Sequence, residues 1–245
     1  MLNNIKIVLV ETSHSGNIGA VARAMKTMAM TRLCLVNPQC QFPSAEATAR
    51  AAGSDELLSR AIIYNNLQEA VANCQLVFGA SARSRTISWP EVTARECAEK
   101  IASEQETNQQ IAIVFGRENS GLKNHELDCC QYLLRIPCNS DYSSLNIAAA
   151  VQVVCYELFI AADIKQTPKK IIGDKYASPL ASNEQMELFY EHLYQTLVDI
   201  DFMQPERSKS IMRRLRRIYN KALLNSKEVD ILRGILRLSQ NHQTK

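Results

Sequence analysis

The chain has 245 residues, of which 46% are hydrophobic and 22% are charged, and its formal net charge is +3 at pH 7. That length suits one large domain or a large domain followed by a small one, and the apolar content suffices for a substantial core. The charge is uneven, because residues 205–237 hold ten Lys or Arg against three Asp or Glu, a net +7. This asymmetry indicates an attached basic module with a polyanionic partner.

The cysteines and the apolar runs bear on the compartment. None of the eight cysteines forms a C-x-x-C pair, and most have apolar neighbours, which is typical of free thiols in a reducing environment. The amino terminus begins with a strand-like segment, Ile5–Val10, rather than with a signal sequence, and no apolar run is long enough to cross a membrane. We therefore expect a cytoplasmic protein without a membrane segment.

The first 162 residues alternate short apolar strands with helices, which predicts an α/β domain whose parallel sheet is covered on both faces. The predicted strands are Ile5–Val10, Leu33–Val36, Leu76–Gly79, Ile111–Phe115 and Tyr132–Ile136. The predicted helices are Ile18–Met30, Ala45–Ala52, Leu67–Cys74, Thr93–Ile101 and Leu145–Ala162.

The remainder of the chain has a different pattern. Residues 163–182 lose periodicity and contain Pro168, Gly173 and Pro179, so we interpret them as a linker. In residues 183–245 apolar positions recur every three or four residues, which predicts a small all-α domain of three helices. The predicted N-caps of its first and last helices are Asn183 and Ser226.

Three junctions between strands or turns and the following elements are rich in Gly, Ser, Asn and Arg. Asn17–Met25 is a glycine turn leading into a helix with an inward-spaced Arg23. Ile111–Leu122 is a buried strand that opens into a glycine-bounded loop, and Ile136–Asn146 is a polar loop before an alanine-rich helix. We expect these loops to form a polar site at the edge of the parallel sheet.

Several classes of chemistry lack their motifs. No G-x-G-x-x-G occurs, and Gly116–Gly121 has the glycine spacing of a P-loop but is followed by Leu122 instead of lysine. The G-x-S-x-G motif of a serine nucleophile is also absent, which argues against acyl transfer by a serine. We expect no metal site, because the histidines are isolated in the sequence, at His14, His125, His192 and His242. The functions that these junctions still allow are phosphate positioning and the binding of a ligand by main-chain groups.

Three motifs together resemble those of the SPOUT class of RNA methyltransferases: Asn17-x-Gly-x-x-x-Arg23, Phe115-Gly-Arg-Glu-x-x-Gly-Leu122, and Ile136-Pro followed by Ser143-Ser-Leu-Asn146. Residues 1–162 are similar throughout to the 2′-O-ribose branch of that class. The resemblance implies a parallel sheet whose carboxyl-terminal part forms a trefoil knot, an exception to the rule that folds are unknotted. It also implies S-adenosylmethionine as cofactor, a homodimer, and methylation of a pyrimidine ribose in the tRNA anticodon loop.

The resemblance also assigns roles to individual residues. The cofactor-binding positions it implies are Ala80, Ser81, Ala82, Gly116, Ile136, Ser143, Ser144 and Leu145. The catalytic positions it implies are Arg23, Ser144, Asn146, Arg83 and Arg85. We expect Arg23 to anchor the target phosphate, because a guanidinium with a pKa above ~12 is a poor base. Arg83 and Arg85 would form a second phosphate clamp, and Asn146 would bind the ribose hydroxyl.

The basic segment near the carboxyl terminus surrounds a single apolar residue, Leu215. Such density around a helix fits binding to an RNA backbone better than an ordinary solvated face. The predicted RNA-binding residues are Arg213, Arg214, Arg216 and Arg217. Two roles remain open for Glu118, namely an acid at the start of a helix and a contact within a dimer. A rival hypothesis is a non-catalytic RNA-binding protein with this fold, against which the intact catalytic positions argue.

Overall fold

A computed structural model describes residues 1–81, 89–103, 109–139, 141, 144–164, 178–204 and 208–241. The strands are β1 (Ile5–Val10), β2 (Arg32–Val36), β3 (Ile62–Tyr64), β4 (Leu76–Ala80), β5 (Glu91–Thr93), β6 (Ile111–Phe115) and β7 (Tyr132–Arg135). The helices of the α/β part are α1 (Ser15–Thr27), α2 (Ala45–Ala51), α3 (Asp55–Ser59), α4 (Leu67–Val71), α5 (Ala94–Ser103), α6 (Asn124–Leu127) and α7 (Ile147–Ile164). Three more helices follow, α8 (Asn183–Asp199), α9 (Ser208–Ala222) and α10 (Ser226–Asn241).

The seven strands form one parallel sheet in the order β3-β2-β1-β6-β4-β7-β5. β1 lies between β2 and β6, with Ile7 opposite both Leu33 and Ile113. Because β6, β4 and β7 are neighbours and run in the same direction, the loops that follow them leave the same edge of the sheet. The fold class expected from the sequence is therefore confirmed, whereas the knot stays a prediction.

Alternate residues of β1 contribute to two apolar layers. Ile5, Ile7 and Leu9 pack in a cluster with α1, α5 and α7, whereas Val8 and Val10 pack in a second cluster with α4 and α6. All six residues of β1 are buried, as expected of a central strand covered on both faces. Helices on both sides thus hold the sheet rigid beneath its loops.

All five predicted strands are present, each within one residue at either end. Two further strands, β3 and β5, were not predicted; they have three residues each and lie at the two edges of the sheet. An edge strand of this length has no continuous apolar run, and Ile62 and Ile63 of β3 are each 51% exposed. The five-residue α3 and the four-residue α6 were also not predicted.

Helices α8, α9 and α10 share a third apolar cluster around Phe189 and Leu193. This helical unit contacts the α/β part through the main-chain N–H of Asn183, which donates to the carbonyl of Cys74 at 2.9 Å. α7 ends at Ile164, two residues into the predicted linker, and α8 begins at Asn183, directly after it. Most of the linker lies outside the described residues. The domain division at 1–162, 163–182 and 183–245 stays a prediction.

Capping boxes start α8 and α10 one residue earlier than predicted. Ser182 Oγ accepts from the N–H of Gln185 at 3.3 Å, and the Gln185 side chain accepts from the N–H of Ser182 at 2.8 Å. Asn225 and Glu228 repeat this arrangement at 3.0 and 2.8 Å. A capping box requires Glu or Gln three residues after the cap, and the predicted caps lack it. The residues predicted as caps are thus the first helical ones, Asn183 and Ser226.

The cysteines are free, as predicted, and six of the eight are buried. Burial raises the pKa of the Cys129 and Cys155 thiols to about 12. Within the described ranges, no helix is long and apolar enough to cross a membrane. The same ranges contain no group of three or more His, Cys, Asp or Glu placed to hold a metal ion.

Candidate cofactor cavity and active site

A cavity of about 220 Å³ opens at the edge of the sheet where β4, β6 and β7 end. The loops after these strands and the start of α7 form its walls. Six of the eight predicted cofactor positions line this one cavity: Ala80, Ser81, Gly116, Ile136, Ser144 and Leu145. The other two lie outside the described residues, Ala82 and Ser143. The fold thus brings together positions that are up to 65 residues apart in the sequence.

The lining combines apolar side chains with hydroxyls and main-chain groups. Leu134 and Ile136 offer an apolar surface, while Ser120 and Ser144 offer hydroxyls. The N–H of Ser81 donates to the carbonyl of Leu134 at 3.0 Å, which holds the end of β4 against β7. Apolar walls with a few placed polar groups are typical of a small-molecule site, and this set suits an adenine ring and the polar groups of a nucleoside.

The loop after β6 is a tight turn closed by its own main chain. Arg117 and Gly121 exchange main-chain hydrogen bonds of 3.3 and 2.9 Å, and Gly121 has φ +70°, a conformation that favours glycine. A Cβ on Gly116 would overlap the main chain of Gly121 and Leu122. Gly116 was predicted as a cofactor-binding position. In the structure its missing side chain first allows the loop to fold back on itself.

Arg117 anchors this loop to the sheet, a role that the sequence analysis missed. Its guanidinium donates to both carboxylate oxygens of Glu126 at 2.8 and 3.0 Å and to Glu11 at 2.7 Å. The side chains of Arg117 and Glu126 are 10% and 5% exposed, so the charges are buried but paired. The hydrogen bond from Arg117 holds the pKa of Glu11 below its usual value. The only sequence signal was the position of Arg117 inside the second motif.

A chain of hydrogen bonds joins the three motifs. The Glu118 carboxylate accepts from Asn17 Nδ2 at 3.0 Å and from Ser13 Oγ at 3.2 Å. Asn17 Oδ1 accepts from Asn146 Nδ2 at 3.3 Å, and Asn146 Oδ1 accepts from the N–H of Ala148 at 2.9 Å, in the first turn of α7. Burial tends to raise the pKa of Glu118, but the hydrogen bonds from Asn17 and Ser13 outweigh it and keep the pKa lowered. Glu118 therefore orients Asn17, which in turn orients Asn146.

Arg23 lies on the exposed face of α1. The predicted inward orientation is wrong for the single chain, because its neighbours Ala22 and Ala24 are buried and Arg23 is not. Among the described residues, none forms a hydrogen bond or ion pair with its guanidinium. An unpaired guanidinium on an exposed helix face can bind a phosphate. The two other predicted phosphate ligands, Arg83 and Arg85, lie outside the described residues.

Two of the four arginines predicted to bind RNA form internal ion pairs. Arg213 pairs with Asp128 of the α/β part at 3.2 Å and lies over the ring of Trp89. Arg216 pairs with Glu187 of α8 through two hydrogen bonds of 2.6 and 2.7 Å. These contacts hold α9 against its neighbours. Arg213 and Arg216 therefore stabilise the packing of the basic segment, a role that its composition did not indicate.

The other two arginines of α9 differ from each other in exposure. Arg214 is exposed, and Arg217 is half-buried. The predicted RNA contact from α9 therefore depends first on Arg214, because its charge is the one most accessible to a phosphate backbone.

Comparison with known proteins supplies the family. Residues 4–156 match the SpoU rRNA Methylase family, and residues 184–245 match the carboxyl-terminal domain of the tRNA methyltransferase TrmJ. The chain is 49% identical over 236 residues to the tRNA (cytidine/uridine-2′-O-)-methyltransferase TrmJ of Photorhabdus laumondii, with 96% of each covered. It is 44% identical over 249 residues to the tRNA (cytidine/uridine/adenosine-2′-O-)-methyltransferase TrmJ of Pseudomonas aeruginosa, covering 98% of this chain and 95% of that protein.

A solved structure agrees with the sequence relatives. The crystal structure of TrmJ from Z. mobilis ZM4 superposes with a TM-score of 0.81 at 31% identity, covering 95% of this chain and 97% of that one. The match extends over both the α/β part and the helical unit. The chain therefore belongs to the SpoU methylase family, in the branch that carries the TrmJ carboxyl-terminal domain.

Proposed function

We propose that this chain is a tRNA (cytidine/uridine-2′-O-)-methyltransferase that uses S-adenosylmethionine and acts in the cytoplasm on the anticodon loop. The observation that carries the proposal is the hydrogen-bonded chain Glu118–Asn17–Asn146, which joins all three motifs beside one cavity. The relatives named above act on tRNA at the ribose 2′-oxygen, as their names state, and the family membership of this chain supports the same activity.

The cavity would hold the cofactor through its mixed lining. S-adenosylmethionine supplies an electrophilic methyl group on a positively charged sulfur. Leu134 and Ile136 would contact the adenine, and Ser144 would bind a polar group of the cofactor. Glu118 also lines the cavity, and its lowered pKa keeps the carboxylate charged at neutral pH, so it would attract the cationic end of the cofactor.

The acceptor ribose would lie at Asn146. One N–H of Asn146 Nδ2 donates to Asn17, which leaves the second N–H to orient the 2′-hydroxyl oxygen. Arg23 would hold the adjacent phosphate, as predicted from the sequence. The 2′-oxygen would bond to the methyl carbon as the S–CH₃ bond breaks and S-adenosylhomocysteine leaves. The hydroxyl proton would pass to solvent water late in this step, because a guanidinium is too weak a base to remove it first.

The direct test is mass spectrometry of tRNA after incubation with the purified protein and S-adenosylmethionine. We expect 2′-O-methylcytidine and 2′-O-methyluridine at one position of the anticodon loop. Methylation on a base, or at a position outside that loop, would contradict the proposal. Isothermal titration with S-adenosylmethionine distinguishes this proposal from the rival hypothesis, since a non-catalytic RNA-binding protein would bind tRNA but give no heat of cofactor binding.

A homodimer would complete this site. α7 and the segment just before it expose an apolar stripe that includes Leu145, Val153, Tyr156 and Phe159, each between 37% and 49% exposed. Leu145 also lines the cofactor cavity, so a second copy on this face would lie beside the bound cofactor. An apolar stripe on a helix that begins at the active site fits an interface between two copies of the chain.

Light scattering after size-exclusion chromatography tests the dimer. We expect wild type to have the mass of two chains, and Tyr156→Glu to have the mass of one chain and to lose methyl transfer. Phe202→Glu serves as the matched control, because Phe202 is 64% exposed but lies away from α7, three residues after the end of α8. A Tyr156→Glu protein that keeps the dimer mass would exclude α7 as the interface.

A further inference from the structure

A second, open groove of about 540 Å³ lies beside the cofactor cavity. Asn17 and Asn146 line the groove, and Asn17 is hydrogen-bonded to Glu118, which lines the cofactor cavity. The hydrogen-bonded chain of these three residues is therefore the boundary between the two spaces. A group in the groove can reach Asn146 without entering the cavity of the cofactor.

The floor of the groove is the first two turns of α1. Gly16 and Ala20 form it, both small and four residues apart on the same helix face. Arg23 follows on that face, seven residues after Gly16, which is about 10 Å along the helix axis at 1.5 Å per residue. The small floor residues leave room between Asn146 and the exposed guanidinium of Arg23.

The wall opposite Asn146 comes from α2 and carries two charged groups. Glu46 and Arg50 are four residues apart, so they lie on the same face of α2, and both line the groove. Ser15 Oγ donates to Glu46 Oε2 at 3.1 Å, which fixes the carboxylate and directs Oε1 toward α1. A Cβ on Gly16 would come within 2.7 Å of Oε1, so a glycine is needed for this approach.

We propose that this groove receives the base of the target nucleotide and that Glu46 and Arg50 read its polar edge. The inference rests on the proposed function, because Asn146 marks the ribose and Arg23 the phosphate of that nucleotide. With ribose and phosphate so placed, the base lies along the wall of α2. Glu46 accepts a hydrogen bond from the exocyclic amine of cytosine, and Arg50 donates to the O4 carbonyl of uracil. The two groups together explain acceptance of both pyrimidines.

The experiment compares two transcripts of one substrate tRNA that differ only in having cytidine or uridine at the methylated position. Glu46→Gln should lower kcat/KM for the cytidine transcript about tenfold and leave the uridine transcript within about twofold of wild type. Arg50→Gln should do the reverse. Glu56→Gln and Arg60→Gln are matched controls, since these residues form an exposed i,i+4 ion pair at the end of α3 and do not line the groove.

Equal loss on both transcripts in both variants would overturn the proposal. An equal loss in Arg50→Gln together with a shallower salt dependence would assign Arg50 to a phosphate, which overturns its role in base reading.

A binding measurement separates this inference from the proposed function. The affinity of the two matching anticodon stem-loops is measured by fluorescence anisotropy in the presence of S-adenosylhomocysteine. If wild type methylates neither transcript but the variants still shift the cytidine-to-uridine affinity ratio in opposite directions, the proposed function fails and the groove assignment stands. An affinity ratio that neither variant changes would refute the groove assignment, whether or not methylation occurs.

Discussion

Glu118 Oε1 accepts a hydrogen bond from Asn17 Nδ2 at 3.0 Å, although the two residues are 101 positions apart in the sequence. This contact ties the loop after β6 to the first turn of α1. Because Asn17 also accepts from Asn146, the position of the proposed ribose-binding amide depends on a carboxylate in the cofactor cavity. In the proposed site, these three side chains would link cofactor binding to the positioning of the acceptor ribose.

Asn17→Ala should lower kcat about 10- to 100-fold, because Asn146 loses the partner that orients it and small misplacements at a reacting centre are costly. The affinity for S-adenosylmethionine should stay near the wild-type value, since Asn17 does not line the cofactor cavity. Single-turnover methylation and calorimetry measure the two quantities. Asn65→Ala, at an exposed position outside the site, is the control, and an unchanged kcat in Asn17→Ala would show that Asn146 is positioned independently.

Arg23→Ala should reduce kcat/KM for tRNA at least about 100-fold, the usual effect of removing a charged group that stabilises a transition state. Its exposure and lack of a partner among the described residues predict an unchanged melting temperature and cofactor affinity. Arg60→Ala removes another exposed arginine and should leave methylation unchanged. Near-normal turnover in Arg23→Ala would remove the residue from the proposed site.

Gly116→Ala should destabilise the protein by about 3 kcal/mol, because the new Cβ overlaps the main chain of the same loop. Gly121→Ala should cost only about 1 kcal/mol, since a Cβ there meets nothing within 4 Å and the cost is that of a positive φ. Thermal melting compares the two, at roughly 2–4 °C per kcal/mol for a chain of this size. Equal shifts would mean that the loop after β6 can open without strain.

Arg214→Gln and Arg216→Gln should separate RNA binding from folding. Arg214→Gln should weaken tRNA binding, reduce the salt slope by roughly 0.7–0.9, and leave the melting temperature unchanged. Arg216→Gln should destabilise the protein by about 1 kcal/mol, because a partly exposed ion pair with Glu187 is lost. Salt titrations of tRNA binding and thermal melts of both variants measure the two effects. Equal salt slopes for Arg214→Gln and wild type would make Arg214 a solvated charge.

Acid should destabilise the protein in part through Glu11, whose pKa is lowered in the folded state by the hydrogen bond from Arg117. A group with a lowered folded pKa stabilises the fold above its unfolded pKa, and that stabilisation disappears as pH falls from there through the folded pKa. We therefore expect the melting temperature to fall as pH decreases below about 4.5.

The matching variant for this pH dependence is Arg117→Met. It should lower stability by roughly 3–5 kcal/mol at neutral pH, because it leaves the buried Glu126 carboxylate without its partner. It should also flatten the acid dependence that arises from Glu11. Melting curves of both proteins from pH 7 to pH 3 measure this, and parallel pH profiles would contradict the assignment to Arg117.

The central part of the fold could be predicted from local patterns. β1 and β6 are buried on both faces, so each is a continuous apolar run that indicates a strand without knowledge of its partners. β3 could not be predicted, since an edge strand with exposed Ile62 and Ile63 has no such run. The start of α8 was predictable in principle, because Ser182 and Gln185 have the spacing of a capping box.

The sequence by itself determined which segments form the candidate site, because motif residues such as Gly116 and Asn146 are recognisable from residue type and spacing. Only the tertiary structure decided what these residues contact. The strand order places β6 beside β1, and this brings Glu118 to Asn17 and Arg117 to Glu11. Such contacts depend on the arrangement of whole strands, which the local pattern of a single segment does not encode. The same reason explains why equally charged arginines of α9 differ, since burial and pairing follow from packing and not from charge.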